Sequence, residues 1–229
     1  LNEEIKKKKD LLEIKKKEKL NYQSDKNLQL ISLDKIRNNE ENLAAELEIN
    51  NKKRNEIAKA VKKAIENEIK ALEKLKKAKF ALTPEGIAIS KNFNKNKGRL
   101  IWPVERGEIT SKYGRHQHHL VTTAFVDNNG VDITTSKNAN VRAVFEGKVT
   151  SVLIIPGAGR VVMVSHGEYR TVYANLQEVY VKKGDYVKPK DKLGKLLAKE
   201  SGISESHFEI WRILASGMST VNPSFWLSK

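Results

Sequence analysis

The chain of 229 residues contains no cysteine. That excludes a disulfide framework, a thiol nucleophile and a thiolate zinc site, and it leaves the redox compartment open. No run approaches the roughly 18 apolar residues that a membrane-spanning helix requires. Glycine and proline are missing from the first 82 residues, although the whole chain has 13 and 5 of them. Aromatic residues are scarce there too, since only Tyr22, Phe80 and Phe93 precede residue 100. These gaps exclude one uniform globule. They predict a charged helical part followed by a compact, turn-rich part.

Charge is abundant where glycine is absent. The net formal charge is +15, and residues 1–100 hold 26 Lys/Arg against 16 Asp/Glu. Such an excess has two readings: an arm for a polyanion or anionic membrane face, or a long solvated helix. Acids are interleaved with the bases and stacking aromatics are nearly missing, which favours the solvated helix. No nucleic-acid partner is expected. Only Lys6–Lys9 and Lys15–Lys17 depart from this mixing. The chain opens at Leu1 without an initiator Met, which reads as the edge of a longer protein.

Over residues 1–82 the apolar positions follow a helical period. Ile57, Val61, Ile65, Ile69, Leu72 and Leu75 are separated by steps of four and three, and Ile36, Leu43 and Leu47 continue the stripe upstream. A narrow stripe on a segment without its own core predicts a coiled-coil arm with a partner helix. Asn21–Asn27 is its expected break, because Asn, Ser and Asp compete for backbone hydrogen bonds. At residues 83–99 a junction follows. Thr83 can cap a helix, Pro84 suits its first position, and Glu85 complements its dipole. That helix is expected to end near Ser90, leaving a basic strand-like stretch anchored by Phe93.

Residues 100–229 change period from helical to alternating. Arg160–His166 and Tyr169–Asn175 flank Gly167-Glu168, and Glu178–Lys182 and Tyr186–Lys188 flank Lys183-Gly184-Asp185, so both pairs predict hairpins. Ser206–Ile213 is the expected last strand, and Phe225-Trp226-Leu227 an apolar clasp. The predicted fold class is therefore α+β in two parts: a helical arm, then an antiparallel all-β domain large enough to bury its own core.

A series of short segments in this domain falls in a telling order. It runs Trp102-Pro103-Val104, Thr110-Ser111-Lys112-Tyr113-Gly114, Asn129-Gly130-Val131-Asp132-Ile133, Val141-Arg142-Ala143, Gly147-Lys148-Val149, Val172-Tyr173-Ala174-Asn175-Leu176, Lys183-Gly184-Asp185-Tyr186-Val187 and His207-Phe208-Glu209-Ile210. In this order it resembles the lysostaphin/LytM-type zinc endopeptidase domain, with its duplicated hybrid motif, which cleaves peptide cross-bridges of bacterial cell walls. Arm, junction and domain together resemble the EnvC-type murein hydrolase activators, particularly their Bacteroidetes-like versions.

The departures from that family carry the functional expectation. The resemblance places a zinc-ligating His at position 128, a catalytic His at 175 and another at 205. Here Asn128, Asn175 and Glu205 stand instead, while the ligand positions Asp132 and His207 are kept. Zinc in such a site requires three firm protein ligands and an open position for water, and an amide oxygen is a poor donor for it. Asn175 can donate a hydrogen bond but cannot exchange a proton. A rearranged metal site of Asp132, Glu205 and His207 is conceivable, since residues two apart on a strand share a face. His116, His118 and His119 read as a surface loop, and His166 as an exposed residue at a hairpin turn.

The favoured expectation is a non-catalytic module that holds no metal or other cofactor. By resemblance, it binds and switches on a cell-wall N-acetylmuramoyl-L-alanine amidase during cell division, with possible peptidoglycan contact. The partner-binding groove is expected to comprise Asn128, Asp132, Tyr173, Asn175, Glu205, His207 and Arg212. The junction residues Pro84, Ile87 and Phe93 are expected to restrain it. The arm, again by resemblance, docks on a transporter-like membrane complex. The compartment is expected to be the periplasm, through a leader preceding Leu1. The alternative is an active zinc endopeptidase of peptidoglycan cross-links with a rearranged site.

Overall fold

The computed structural model describes residues 2–76, 83–117, 125–156, 158–199, 202–214 and 216–229. Two compact units appear, Leu1–Glu48 and Ile49–Lys229. The boundary falls inside a helix rather than at the expected junction near residue 82. Helix α1 spans Asn2–Lys76 and runs through Asn21–Asn27 without the expected break. The side chains of Ile36, Leu72, Leu75, Lys6–Lys9, Lys16 and Lys17, and all of His118 and His119, lie outside the described residues.

Within Ile49–Lys229, helix α2 spans Pro84–Lys95, with Thr83 as its cap: the Thr83 hydroxyl accepts from Gly86 N at 3.1 Å. The strands are β1 (Glu108–Ser111), β2 (Gly114–Gln117), β3 (Phe125–Asn128), β4 (Val131–Ser136), β5 (Asn140–Arg142) and β6 (Gly147–Ile155). They continue with β7 (Gly159–His166), β8 (Tyr169–Val179), β9 (Tyr186–Val187), β10 (Lys192–Leu196), β11 (Ile203–Leu214) and β12 (Gly217–Val221). The main sheet runs β1-β4-β11-β8-β7-β6-β9, with β12 on β11 and β10 joining β5 to β8. A separate hairpin pairs β2 with β3.

The expected hairpin around Gly167 forms between β7 and β8. The one expected around Gly184 does not. Gly184 N donates to the Val149 carbonyl at 2.8 Å, so β9 is drawn to β6 instead of folding back on β8. Strand β11 is followed by β12 and is not last. It also fails to alternate in exposure, being buried from Ser206 to Trp211 on both faces.

The reason is that the sheet is covered twice. Phe208 and Ile210 face one core with Tyr173, Leu176, Phe93 and Trp226. Trp211 and Ile213 face a second core with Val161, Met163, Val172 and Ala174, capped by Ile57, Val61 and Ile65 of α1. The stripe on α1 thus meets a sheet face where a partner helix was expected. Those three α1 side chains are at most 2% exposed. At about 1.5–3 kcal/mol for each fully buried aliphatic side chain, they account for several kcal/mol of contact.

The junction behaves differently from expectation. Phe93 lies in α2 rather than in a strand, because the helix continues past Ser90 to Lys95. Its ring stacks on His166 at 4.8 Å and on Tyr169 at 4.9 Å, and meets Trp226 at 5.0 Å. That contact buries His166 completely, where exposure was expected. Trp226 and Leu227 form the expected clasp, with Leu227 bridging Leu100, while Phe225 is 65% exposed.

Candidate functional site

Asp132 and His207 are neighbours across β4 and β11 because the register places them opposite each other. The β3–β4 turn rides so close over β11 that a Cβ on Gly130 would lie 2.1 Å from the Phe208 carbonyl, so only glycine fits there. His207 Nδ1 lies 2.6 Å from Asp132 Oδ1, and Nε2 lies 2.9 Å from Glu209 Oε1. Glu209 Oε2 accepts from the Trp211 indole at 2.6 Å. His207, Glu209 and Trp211 alternate along β11 and so share one face.

Helix α1 completes this cluster. Arg54 Nη2 donates to Asp132 Oδ2 at 2.6 Å and Nε to the same oxygen at 3.2 Å. Asn51 steadies the guanidinium, accepting from Arg54 Nη1 at 3.3 Å, and itself donates to the Phe125 carbonyl at 3.0 Å. The result is a row of alternating basic and acidic side chains, Arg54, Asp132, His207 and Glu209. Burial opposes the charge on Asp132, but His207 and then Arg54 outweigh it and hold its carboxyl well below the usual range. Burial likewise opposes the imidazolium of His207. Asp132 and then Glu209 overcome that and raise its pKa far above the usual histidine value.

Asn128 is buried beside them. Its Nδ2 donates to Ser111 Oγ at 3.1 Å and Asp132 Oδ2 at 3.2 Å, and its Oδ1 accepts from Gly130 N at 3.0 Å. Asn175 sits in a bulge of β8, where one extra residue lies between Tyr173 and Leu176 relative to β7. Its φ of 64° is a left-handed conformation that asparagine tolerates better than most residues. From there Nδ2 donates to the Glu205 carbonyl at 3.2 Å. The Glu205 carboxylate binds Lys199 at 3.0 Å.

This donor set does not fit the zinc ion that the family resemblance implies. Of the three ligand positions only Asp132 and His207 keep a residue type that binds zinc firmly, and Arg54 occupies Asp132 Oδ2. Both Asp132 oxygens are engaged, and Asn128 turns its oxygen to the Gly130 backbone. The space left beside Asp132 and His207, under α1, is about 30 Å³, lined by Asn50, Lys53, Arg54, Ile57, Asp132, Asn175, Glu205 and His207. That is room for a water molecule or two rather than a peptide.

Of the expected groove residues, Asn128, Asp132, Asn175, Glu205 and His207 come together. Tyr173 and Arg212 do not. Tyr173 points to the opposite core, where its hydroxyl accepts from Val144 N at 3.0 Å, because it alternates away from Val172 and Ala174. Arg212 likewise alternates away from His207 and lies over the Tyr169 ring at 5.6 Å. The expected restraint is also corrected. None of Pro84, Ile87 and Phe93 lines the space beside Asp132, and α1 covers it instead. Phe93 is committed to the core on the far side of the sheet.

Sequence reasoning missed Arg54, Glu209 and Trp211. The two residues on β11 were legible from their spacing to His207. Arg54 left a fainter trace: Arg37 and Arg54 are the two arginines in a lysine-rich stretch of 82 residues. Arginine is favoured over lysine where a fork must grip a buried carboxylate.

A family model, peptidase family M23, matches residues 126–223. A protein of Haemophilus influenzae named an uncharacterized metalloprotease is 35% identical over 119 residues, covering 49% of this chain and 25% of that protein. The peptidoglycan DD-endopeptidase ShyB of Vibrio cholerae is 33% identical over 131 residues, covering 55% of this chain and 29% of ShyB. The chain thus spans between a quarter and a third of the length of these relatives. A solved zinc-containing peptidase from Vibrio cholerae is 28% identical, with a TM-score of 0.44, covering 56% of this chain and 40% of the other. The segment that holds Asn128, Asp132, Asn175 and His207 is thus similar in sequence to M23 peptidases.

Proposed function

We propose that this M23-type domain is not a peptidase and acts by binding another protein of the bacterial cell envelope. The single observation that carries the reading is the charge arrangement at the old metal position. Arg54 and Glu209 saturate Asp132 and His207, and Asn128, Asn175 and Glu205 replace imidazoles. A site so occupied lacks the three free ligands that a hydrolytic zinc requires and the imidazoles that would exchange its proton.

In this reading the partner is a cell-wall amidase, as in the EnvC-type activators that the chain resembles. The module is periplasmic. Helix α1 serves as the cover that must leave the sheet before the partner docks, and its upstream part is a coiled-coil arm through which a membrane complex pulls. This is a two-state element biased from outside.

The test is stimulation of a purified N-acetylmuramoyl-L-alanine amidase on isolated peptidoglycan. Full chain carrying Val61→Glu, which sets a charge against the apolar sheet face, is expected to stimulate more strongly than the unmodified chain. Metal analysis of the purified protein is expected to give no stoichiometric zinc. Cross-link cleavage by the chain alone, abolished by a chelator and restored by zinc, would replace this reading with the metallopeptidase one.

A further inference from the structure

The face that α1 covers has a definite chemical pattern. At one end the buried carboxylates of Asp132 and Glu209 flank His207, and Arg54 is the cation that α1 brings to Asp132. At the other end Arg170, 2% exposed, is held by Glu68: Nη2 to Oε1 at 2.6 Å and Nε to Oε2 at 3.2 Å. Between them lies the apolar floor of Val161, Met163, Val172, Ala174, Trp211 and Ile213. Helix α1 answers each part in turn, with Arg54, then Ile57, Val61 and Ile65, then Glu68. Arg54 and Glu68 are fourteen positions apart, about 21 Å along a helix and close to four whole turns, so both lie on the face that carries the stripe.

A buried charge deprived of its partner is strongly destabilising, and here there are two of opposite sign. Any occupant that displaces α1 must therefore bring a cation to Asp132 and an anion to Arg170, or leave both stranded. We propose that this face recognises an amphipathic helix of another protein bearing Arg or Lys at one position, aliphatic residues three, seven and eleven positions later, and Asp or Glu at the fourteenth. Helix α1 is then an internal copy of the ligand. This rests on the reading of the module as a protein-binding one, and it adds what the partner must look like.

The probe is a fluorescent peptide of this chain's own residues 50–71. The receptor is the full chain carrying Arg54→Ala and Glu68→Ala, whose own α1 is loosened, with circular dichroism verifying its fold. The peptide is expected to bind this receptor at least about tenfold more tightly than the unmodified chain, where α1 competes. Peptides carrying Arg54→Glu or Glu68→Arg are expected to bind at least about tenfold more weakly. The Glu68→Arg peptide is expected to regain affinity for a receptor that also carries Arg170→Glu.

Equal binding of the native and charge-altered peptides would overturn the proposal, because the face would then read apolar surface alone. So would failure of the peptide to bind a folded receptor. A receptor that dimerises by exchanging α1 and excludes the peptide would overturn it too, making the occupant a second copy. Amidase stimulation without charge-dependent peptide binding would sink this proposal and spare the functional reading. Charge-dependent binding without stimulation would uphold the proposal and sink that reading.

Discussion

Arg54 and Asp132 stand 78 positions apart in the sequence and 2.6 Å apart in space, and their pairing ties α1 to the middle of the β-rich part. The Asp132 side chain is 2% exposed and that of Arg54 15%, so solvent screens the pair only weakly. Arg54→Ala leaves the buried Asp132 carboxylate without the cation that α1 brings to it. It is expected to cost roughly 2–4 kcal/mol of stability. Arg54→Lys is expected to recover part of this, since an ammonium cannot fork as a guanidinium does. Denaturant titrations measure the loss, and hydrogen exchange of amides 50–68 should quicken alongside it. Unchanged midpoint and exchange in Arg54→Ala would mean that the contact holds nothing in place.

Ile65 is fully buried between α1 and the sheet. Ile65→Ala removes three methyl or methylene groups from a packed contact and is expected to cost about 2–4 kcal/mol. Accelerated exchange is expected in α1 and on the β7, β8 and β11 face beneath it, while β10 and α2 stay protected. Uniform acceleration throughout residues 83–229 would show instead that α1 and the β-rich part unfold as one.

Phe93 offers the contrasting case. Its ring fills the opposite core against His166, Tyr169 and Trp226, so Phe93→Ala is expected to cost about 3–5 kcal/mol. Exchange of amides 50–68 should change only as much as global stability does, because the residue touches nothing beside Asp132. Selective release of α1 by this substitution would return the restraint to the junction.

How much of this was legible beforehand depends on what each residue's partner is. The β7–β8 hairpin, the Thr83 cap and the meeting of Asn128, Asp132, Asn175, Glu205 and His207 follow from short-range pattern and ordered motifs. Neither Tyr173's place in a motif nor Arg212's nearness to His207 in sequence says which face of a strand each takes, whereas alternation from Val172 and His207 does. The apolar stripe on α1 was legible as a stripe. Its partner was not, since Ile57, Val61 and Ile65 would suit a helix or a sheet equally well. Burial of His166 is not legible in its local sequence, because the ring that covers it arrives from 73 positions upstream, on Phe93.

His166 gives a pH dependence whose direction can be worked out. Burial, with a smaller contribution from the nearby Arg170 charge, outweighs the Glu146 carbonyl bonded to Nδ1 and lowers its pKa from 6.5 to about 3. Between those values the unfolded chain binds a proton that the folded chain refuses. The contribution of the neutral ring is therefore complete above about pH 6.5 and is lost as pH falls toward 3. Because a carbonyl only accepts, Nδ1 carries the hydrogen. Long-range nitrogen-proton spectra are expected to show this tautomer unchanged from pH 8 down to 5. A ring that titrates near pH 6.5 would contradict the burial of this core.

The apolar stripe on α1 has almost no sense of direction, since Ile57, Val61 and Ile65 read the same from head to tail as from tail to head. The charges at its ends supply what the stripe lacks. Turned end for end, α1 would bring Arg54 onto Arg170 and Glu68 onto Asp132, two like-charge collisions in a dry setting. The helix can thus lie down in one polarity only, and a reversed landing is refused by repulsion rather than by shape.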